Sequence, residues 1–201
     1  MPVSPYSRMA RIVRQEKGLM ERVKLIKIKT RGKNNPYYKI NPSGRVPALM
    51  LDNGAVFEDS SLICWYLDNI DGVAKLHPPK GIDDLEHCRL EATARSMLDG
   101  TSLWGREYLY RREESRSDLI MEHERMRALR LADVFENEVQ NSVMSGPLNM
   151  AQITLACVLH GRQHNSPDGF LWRNGRPNLS AWVDRIGNIP SIRDNVSTPM
   201  E

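Results

Sequence analysis

The chain has 201 residues, 40% hydrophobic and 26% charged, with a formal net charge of +3. That is length enough for a proper core in one large domain or two small ones, and it is an ordinary globular composition. No run approaches the ~20 apolar residues of a membrane helix, and the opening MPVSPYSRMARIVRQ has no apolar signal-peptide core, so a cytoplasmic protein that leaves membranes alone is expected.

Cys64, Cys88 and Cys157 are odd in number and lack CxxC spacing, which argues against a disulfide framework or a zinc knuckle. The small net charge hides an asymmetry: residues 1–50 carry +10 and residues 51–201 carry −7. RVKLIKIKTRGK, from Arg22 to Lys33, is the densest basic stretch. Nucleic-acid binding is the sharp reading of such a run. Against it, the lysines are interleaved with apolar residues as on the solvent face of a strand, and no aromatic stacking platform accompanies them, so no nucleic-acid partner is expected.

In chain order, Ser4-Pro5 is a helix start, and Met9, Ile12, Val13 and Leu19 make one apolar stripe that Gly18 closes. Val23 to Ile28 reads as a strand, Thr30 to Asn35 as a polar loop, and Pro36-Tyr37-Tyr38 as a short helical or irregular segment. Asn41-Pro42 then makes a turn, and Pro47 directly precedes the apolar run Ala48 to Leu51. Proline removes a ladder donor and belongs at strand starts, often after a cis bond in a tight turn. Placed there, it would leave the carbonyl and amide of Val46 for an extended peptide to pair with as an added strand. Asp52-Asn53-Gly54 is a hairpin signal, Ala55-Val56-Phe57 a second strand, and Leu62, Ile63, Tyr66 and Leu67 recur at helical spacing. Asp59-Ser60 therefore falls at a helix N-terminus, where free backbone donors and the dipole form a ready carboxylate site. An ordinary hairpin followed by a capped helix would use the same residues with no ligand.

The order turn, strand, hairpin, strand, helix, with Val46-Pro47 and Asp59-Ser60 at its two ends, resembles the glutathione-binding half of the glutathione transferase family. The resemblance implies a thioredoxin-like α/β N-terminal domain over 1–70, a linker over 71–83 and an all-α C-terminal domain over 84–201. It implies that Val46, before cis-Pro47 and beside Arg45, pairs with the cysteinyl backbone of glutathione, and that Asp59 and Ser60 hold its γ-glutamyl end. Ser4 stands where the serine- and cysteine-type members carry their thiol-activating group. A hydroxyl donor at a helix N-terminus would lower the thiol pKa. Capping the first helix is the plainer use of the same side chain, and Ser7 is a second candidate. Only Met1-Pro2-Val3 precede Ser4, where the family has a full first strand, so either that strand is very short or the sequence starts downstream of the true beginning.

The second half reads as helices over Leu85 to Leu109, Ser117 to Gln140, Met150 to His164 and Leu179 to Ile186, with Leu119, Met126, Leu129 and Val134 as a periodic face. Asn149 and Gln152 form a neutral version of the family's capping box. Met97, Gly100, Thr101 and Trp104 fall where the family binds its hydrophobic electrophile; helix–helix packing is the alternative. Cys157, His160 and His164 lie nearly on one face, but no fourth ligand is in reach, so no metal is expected.

The resemblance thus implies a cytosolic, homodimeric, serine-type glutathione transferase of detoxifying function. Glutathione would be its co-substrate, and no other cofactor is implied. The alternatives are a non-catalytic binding or regulatory protein of the same fold, and a glutathione-dependent reductase or peroxidase.

Overall fold

The computed structural model describes residues 4–78, 85–160 and 170–196. These form two compact units, residues 4–78 with 194–196, and residues 85–160 with 170–193.

The first unit opens with α1 (Pro5–Glu16). Ser4 caps it, Pro5 fills the first helical position with its preset φ, and Gly18 ends it at φ 63°. There the amide of Leu19 returns to the carbonyl of Arg14 at 2.9 Å. The expected stripe is fully buried: Met9, Ile12, Val13 and Leu19 all face the core. Arg14 is buried too, and its guanidinium donates to the carbonyls of Met20 (2.6 Å) and Val23 (2.5 Å), fastening the chain that leaves the helix.

A 3-10 turn (Pro36–Lys39) leads to β1 (Ala48–Met50), which pairs antiparallel with β2 (Val56–Glu58) in the register Ala48↔Glu58, Leu49↔Phe57, Met50↔Val56. Asp52-Asn53-Gly54 makes the connection, with Gly54 at φ 84° donating to the carbonyl of Leu51 at 2.9 Å. α2 (Ser60–Asn69) packs against α1 and both strands. Ile63 and Leu67 are buried, Leu62 is exposed, and Tyr66 meets Phe57 edge-on at 5.2 Å.

Val23 to Ile28 is not a strand. It has no regular structure and is largely exposed, with Ile26 at 78% of its full accessibility. Alternation can give a segment two faces, but a strand also needs a partner, and β1 and β2 pair only with each other among the described residues. Residues 1–3, where a first strand was expected, lie outside the described residues.

In the second unit α3 (Leu85–Tyr110) packs on α4 (Asp118–Glu138) and on α6 (Met150–Leu159); α7 (Pro177–Ile186) lies against α4 and α6, and the single-turn helices α5 (Ser142–Ser145) and α8 (Pro190–Arg193) complete it. Every residue of α6 is buried, as an all-round apolar helix must be.

The face expected for α4 is wrong. Leu119 is 80% exposed, and Met126 and Val134 are exposed as well. The buried face is Glu124, Ala128, Ala132 and Phe135. The small residues let α4 approach α3 closely: a Cβ on Gly100 would lie 2.5 Å from Glu124 Oε2.

Asn149 caps α6, accepting from the amide of Gln152 at 3.1 Å. Gln152 departs from the expected box by donating its Nε2 to the carbonyls of Val143, Gly146 and Pro147, because the turn before α6 overhangs it.

Candidate functional site

The loop before β1 is built around its backbone. The Val46–Pro47 bond is cis. Neither the N–H nor the C=O of half-buried Val46 meets a partner among the described residues, while the carbonyl of Arg45 one residue earlier is held twice. Tyr37 Oη donates to it at 2.5 Å and Asn41 Nδ2 at 3.1 Å. Arg45 itself is exposed. An N–H and C=O left without partners just ahead of a strand are what an added peptide strand can pair with.

At the other end of the hairpin, Asp59 is the N-cap of α2 and Ser60 its first residue. The carboxylate of Asp59 accepts from the amide of Ser61 at 2.7 Å. Its backbone is unusual, at φ 72° and ψ 123°. For a residue with a Cβ such a conformation costs on the order of 1–3 kcal/mol, and it persists where the surroundings impose it, typically at a ligand site. Asp59 is exposed, whereas Ser60 is buried against the unit. The helix N-terminus thus presents a carboxylate and backbone donors on one turn.

Ser4 is half-buried, and its Oγ accepts from the amide of Ser7 at 3.3 Å, the bond of an N-cap. This bond occupies one lone pair and leaves the hydroxyl proton to donate. Cap and thiolate donor are therefore compatible roles for one side chain.

Met97, Thr101 and Trp104 are fully buried, and Gly100 is closed off by Glu124. Thr101 Oγ1 donates within its own helix to Met97 O at 2.8 Å, and Trp104 stands edge-on to Phe170 at 5.6 Å. Helix packing is the use these contacts describe. Cys157 is buried in α6, His160 ends that helix, and His164 lies outside the described residues. Among the described residues no group of three His, Cys, Asp or Glu could hold a metal ion, and no helix is long and apolar enough to cross a membrane.

Two polar clusters went unread in the sequence. In the first, Asn41 accepts from the amide of Ser43 at 3.3 Å in an Asx turn, Ser43 Oγ donates to the Glu58 carboxylate, and the amide of Arg45 donates to Ser43 Oγ at 3.1 Å. The Ser43 hydroxyl, then the Asn41 amide, hold the Glu58 carboxyl below its ordinary range, and burial raises the Tyr37 phenol. The second centres on Asp68, wholly buried, which accepts from the amides of Lys75 (2.9 Å), Leu76 (3.0 Å) and His77 (2.8 Å) and pairs with His77 Nδ1 at 2.8 Å. Burial pushes this carboxyl up, and those four bonds together bring it below its usual value. Asn41-Pro42-Ser43-Gly44 carried the turn signal for the first cluster; nothing local marks Asp68.

Comparison with known proteins follows the same division. Residues 3–70 match the family described as "Glutathione S-transferase, N-terminal domain". The chain is 30% identical to a glutathione transferase family member from Pseudomonas fluorescens Pf-5 solved with bound glutathione, at a TM-score of 0.86 over 100% of this chain and 97% of that one. The same family member with bound S-(propanoic acid)-glutathione superposes at 0.84, again over 100% and 97% of the two chains. Among curated relatives, the uncharacterized GST-like protein YibF of Escherichia coli (strain K12) is 26% identical over 91% of this chain and 89% of its own length. Glutathione S-transferase 2 of Saccharomyces cerevisiae is 33% identical over 51% of this chain and 46% of its own.

Proposed function

This chain belongs to the glutathione S-transferase family, and from that membership we propose that it binds glutathione through its first unit and catalyses attack of the glutathione sulfur on an electrophilic small molecule. The unpaired backbone of Val46 beside cis-Pro47 carries this reading, because it is a strand edge one residue long, suited to the cysteinyl backbone of a short peptide. Asp59, at the dipole end of α2, suits the γ-glutamyl ammonium, and the N-terminal turn at Ser60 suits its carboxylate. The cationic first quarter of the chain, residues 1–50, suits a tripeptide of net negative charge.

The chemistry asks little of the protein beyond the thiolate. A glutathione thiol at neutral pH is mostly protonated, and the neutral form is the weaker nucleophile. Ser4 Oγ, donating to sulfur while accepting its cap bond, would stabilise the anion together with the N-terminal end of α1. The sulfur then forms a bond to the electrophilic carbon as the leaving group departs with its electron pair, and the thiol proton passes to solvent. With an aryl halide as probe, release of halide and formation of the thioether should proceed together.

A homodimer belongs to the same proposal. Leu119, Met126 and Val134 on α4, with Leu103 and Leu109 on α3, are apolar and exposed, as a surface meant for a second copy would be. The competing reading, a glutathione-binding protein without turnover, is favoured only by the cap bond that already engages Ser4. Steady-state conjugation of a model aryl halide decides between them. Turnover above the uncatalysed rate supports the transferase. Retention on glutathione resin without turnover supports the binding protein.

A further inference from the structure

We infer that Tyr37, Asn41, Ser43 and Glu58 form a polar tie that positions the Val46 peptide and couples it to the Asp59 turn, so that the two halves of the glutathione site act as one. The inference rests on the glutathione-binding reading above and concerns residues that, in that reading, do not hold the ligand themselves.

The peptide plane between Arg45 and Val46 contains the carbonyl of Arg45 and the amide of Val46. Fixing one end of a rigid plane fixes the other. Tyr37 Oη and Asn41 Nδ2 both donate to that carbonyl, at 2.5 and 3.1 Å, from side chains that are themselves buried, Tyr37 at 7% and Asn41 at 3% exposure. Tyr37 is in turn placed by the 3-10 turn that Asn35 caps, with Asn35 Oδ1 accepting from its amide at 3.0 Å. The N–H of Val46, without a partner among the described residues, is therefore aimed by a donor on the 3-10 turn and one in the loop after it, and not by the strand it precedes.

The other arm leaves from Asn41. Its Oδ1 accepts from Ser43, whose hydroxyl donates to Glu58 and accepts from the amide of Arg45. Glu58 ends β2 and is bonded through the chain to Asp59, the one residue of the turn with a strained backbone. A shift of the loop before β1 thus pulls on the residue that sets the φ of Asp59, and a ligand holding Asp59 stiffens the loop. A chain of hydrogen bonds whose members are satisfied together in one arrangement transmits in both directions.

Titrating glutathione into wild type, Tyr37→Phe, Ser43→Ala, Ser60→Ala and Ser43→Ala/Ser60→Ala by calorimetry tests this, with thermal unfolding run on each. Tyr37→Phe should weaken glutathione binding about five- to ten-fold, the loss of one positioning hydrogen bond. In turnover it should raise KM for glutathione and leave kcat and the KM of the electrophile near wild type. A merely structural role would lower the melting temperature and leave the affinity of the folded protein unchanged. Ser43 is exposed, so Ser43→Ala keeps the test open if Tyr37→Phe does not fold. Its effect should not multiply with that of Ser60→Ala; the double variant should bind about three-fold or more tighter than the product of the singles predicts. Wild-type affinity in both Tyr37→Phe and Ser43→Ala overturns the tie. Effects that multiply within error overturn the coupling. Failure of wild type to bind overturns the glutathione reading itself, and with it the inference.

Discussion

Replacing Asp59 separates strain from capping, because glycine and alanine change opposite terms. At φ 72° and ψ 123° the residue is held where a Cβ is unwelcome, at a cost on the order of 1–3 kcal/mol. Asp59→Ala keeps the Cβ and its strain but loses the cap bond to the amide of Ser61, which should cost about 1 kcal/mol. Asp59→Gly also loses the carboxylate, but glycine is a tolerated N-cap, so that loss is only a few tenths of a kcal/mol. Glycine adds unfolded-state freedom worth about 0.5–1 kcal/mol, which offsets part of the strain relief. Taken together, Asp59→Gly should be about as stable as wild type or up to about 2 kcal/mol more stable, and Asp59→Ala about 1 kcal/mol less. Both should lose about 1.5–3 kcal/mol of glutathione binding, the worth of a hydrogen bond to a charged group. Urea unfolding followed by circular dichroism gives the two stabilities, and calorimetry gives the affinities. If the glycine variant is no more stable than the alanine variant, Asp59 is not strained and its backbone is not imposed by the site.

Three further variants probe other parts of the molecule. Ser4→Ala should leave glutathione affinity nearly unchanged but move the pKa of the bound thiol up toward about 8.5, lowering the conjugation rate at neutral pH about ten-fold or more; coincident thiolate absorbance curves for variant and wild type would make Ser4 a cap alone. Asp68→Ala orphans three backbone amides and should cost about 3 kcal/mol or more. Since the folded pKa of Asp68 is depressed, its contribution is complete above the unfolded value of about 3.9 and is lost as pH falls through the folded value, so acid unfolding should begin at higher pH and be less steep in the variant. A pH-independent difference between the two proteins would contradict this. Gly100→Ala puts a methyl against the Glu124 carboxylate, which pairs with Arg127, and displacing it opposes the roughly 1 kcal/mol that alanine gains over glycine inside a helix, so its urea midpoint should fall below that of Gly105→Ala on the same helix, where a Cβ meets nothing; equal midpoints would mean that the carboxylate moves aside freely.

Much of the first unit could be read from local chemistry. Ser4-Pro5, Gly18, Asn53-Gly54 and Asp59-Ser60 each set a boundary through their own φ preference or side-chain cap, and all four boundaries stand. Properties that depend on a distant partner could not be read. Val23 to Ile28 has the pattern of a strand but no neighbour to pair with among the described residues. The α4 face was misjudged because large apolar residues carry the periodic signal, whereas close helix approach favours Ala128, Ala132 and Gly100, which carry little. The same holds at the site. Val46, Pro47, Asp59 and Ser60 stand out in sequence by their neighbours; Tyr37 and Asn41 matter through a carbonyl several residues away, which no spacing rule reaches.

Glutathione binding by the intact protein, measured by titration calorimetry, tests the central claim most directly. Wild type should give saturable heat with one site per chain, strongly weakened in Asp59→Ala and preserved in Ser4→Ala. Absence of binding by wild type, or binding that Asp59→Ala leaves untouched, would contradict it.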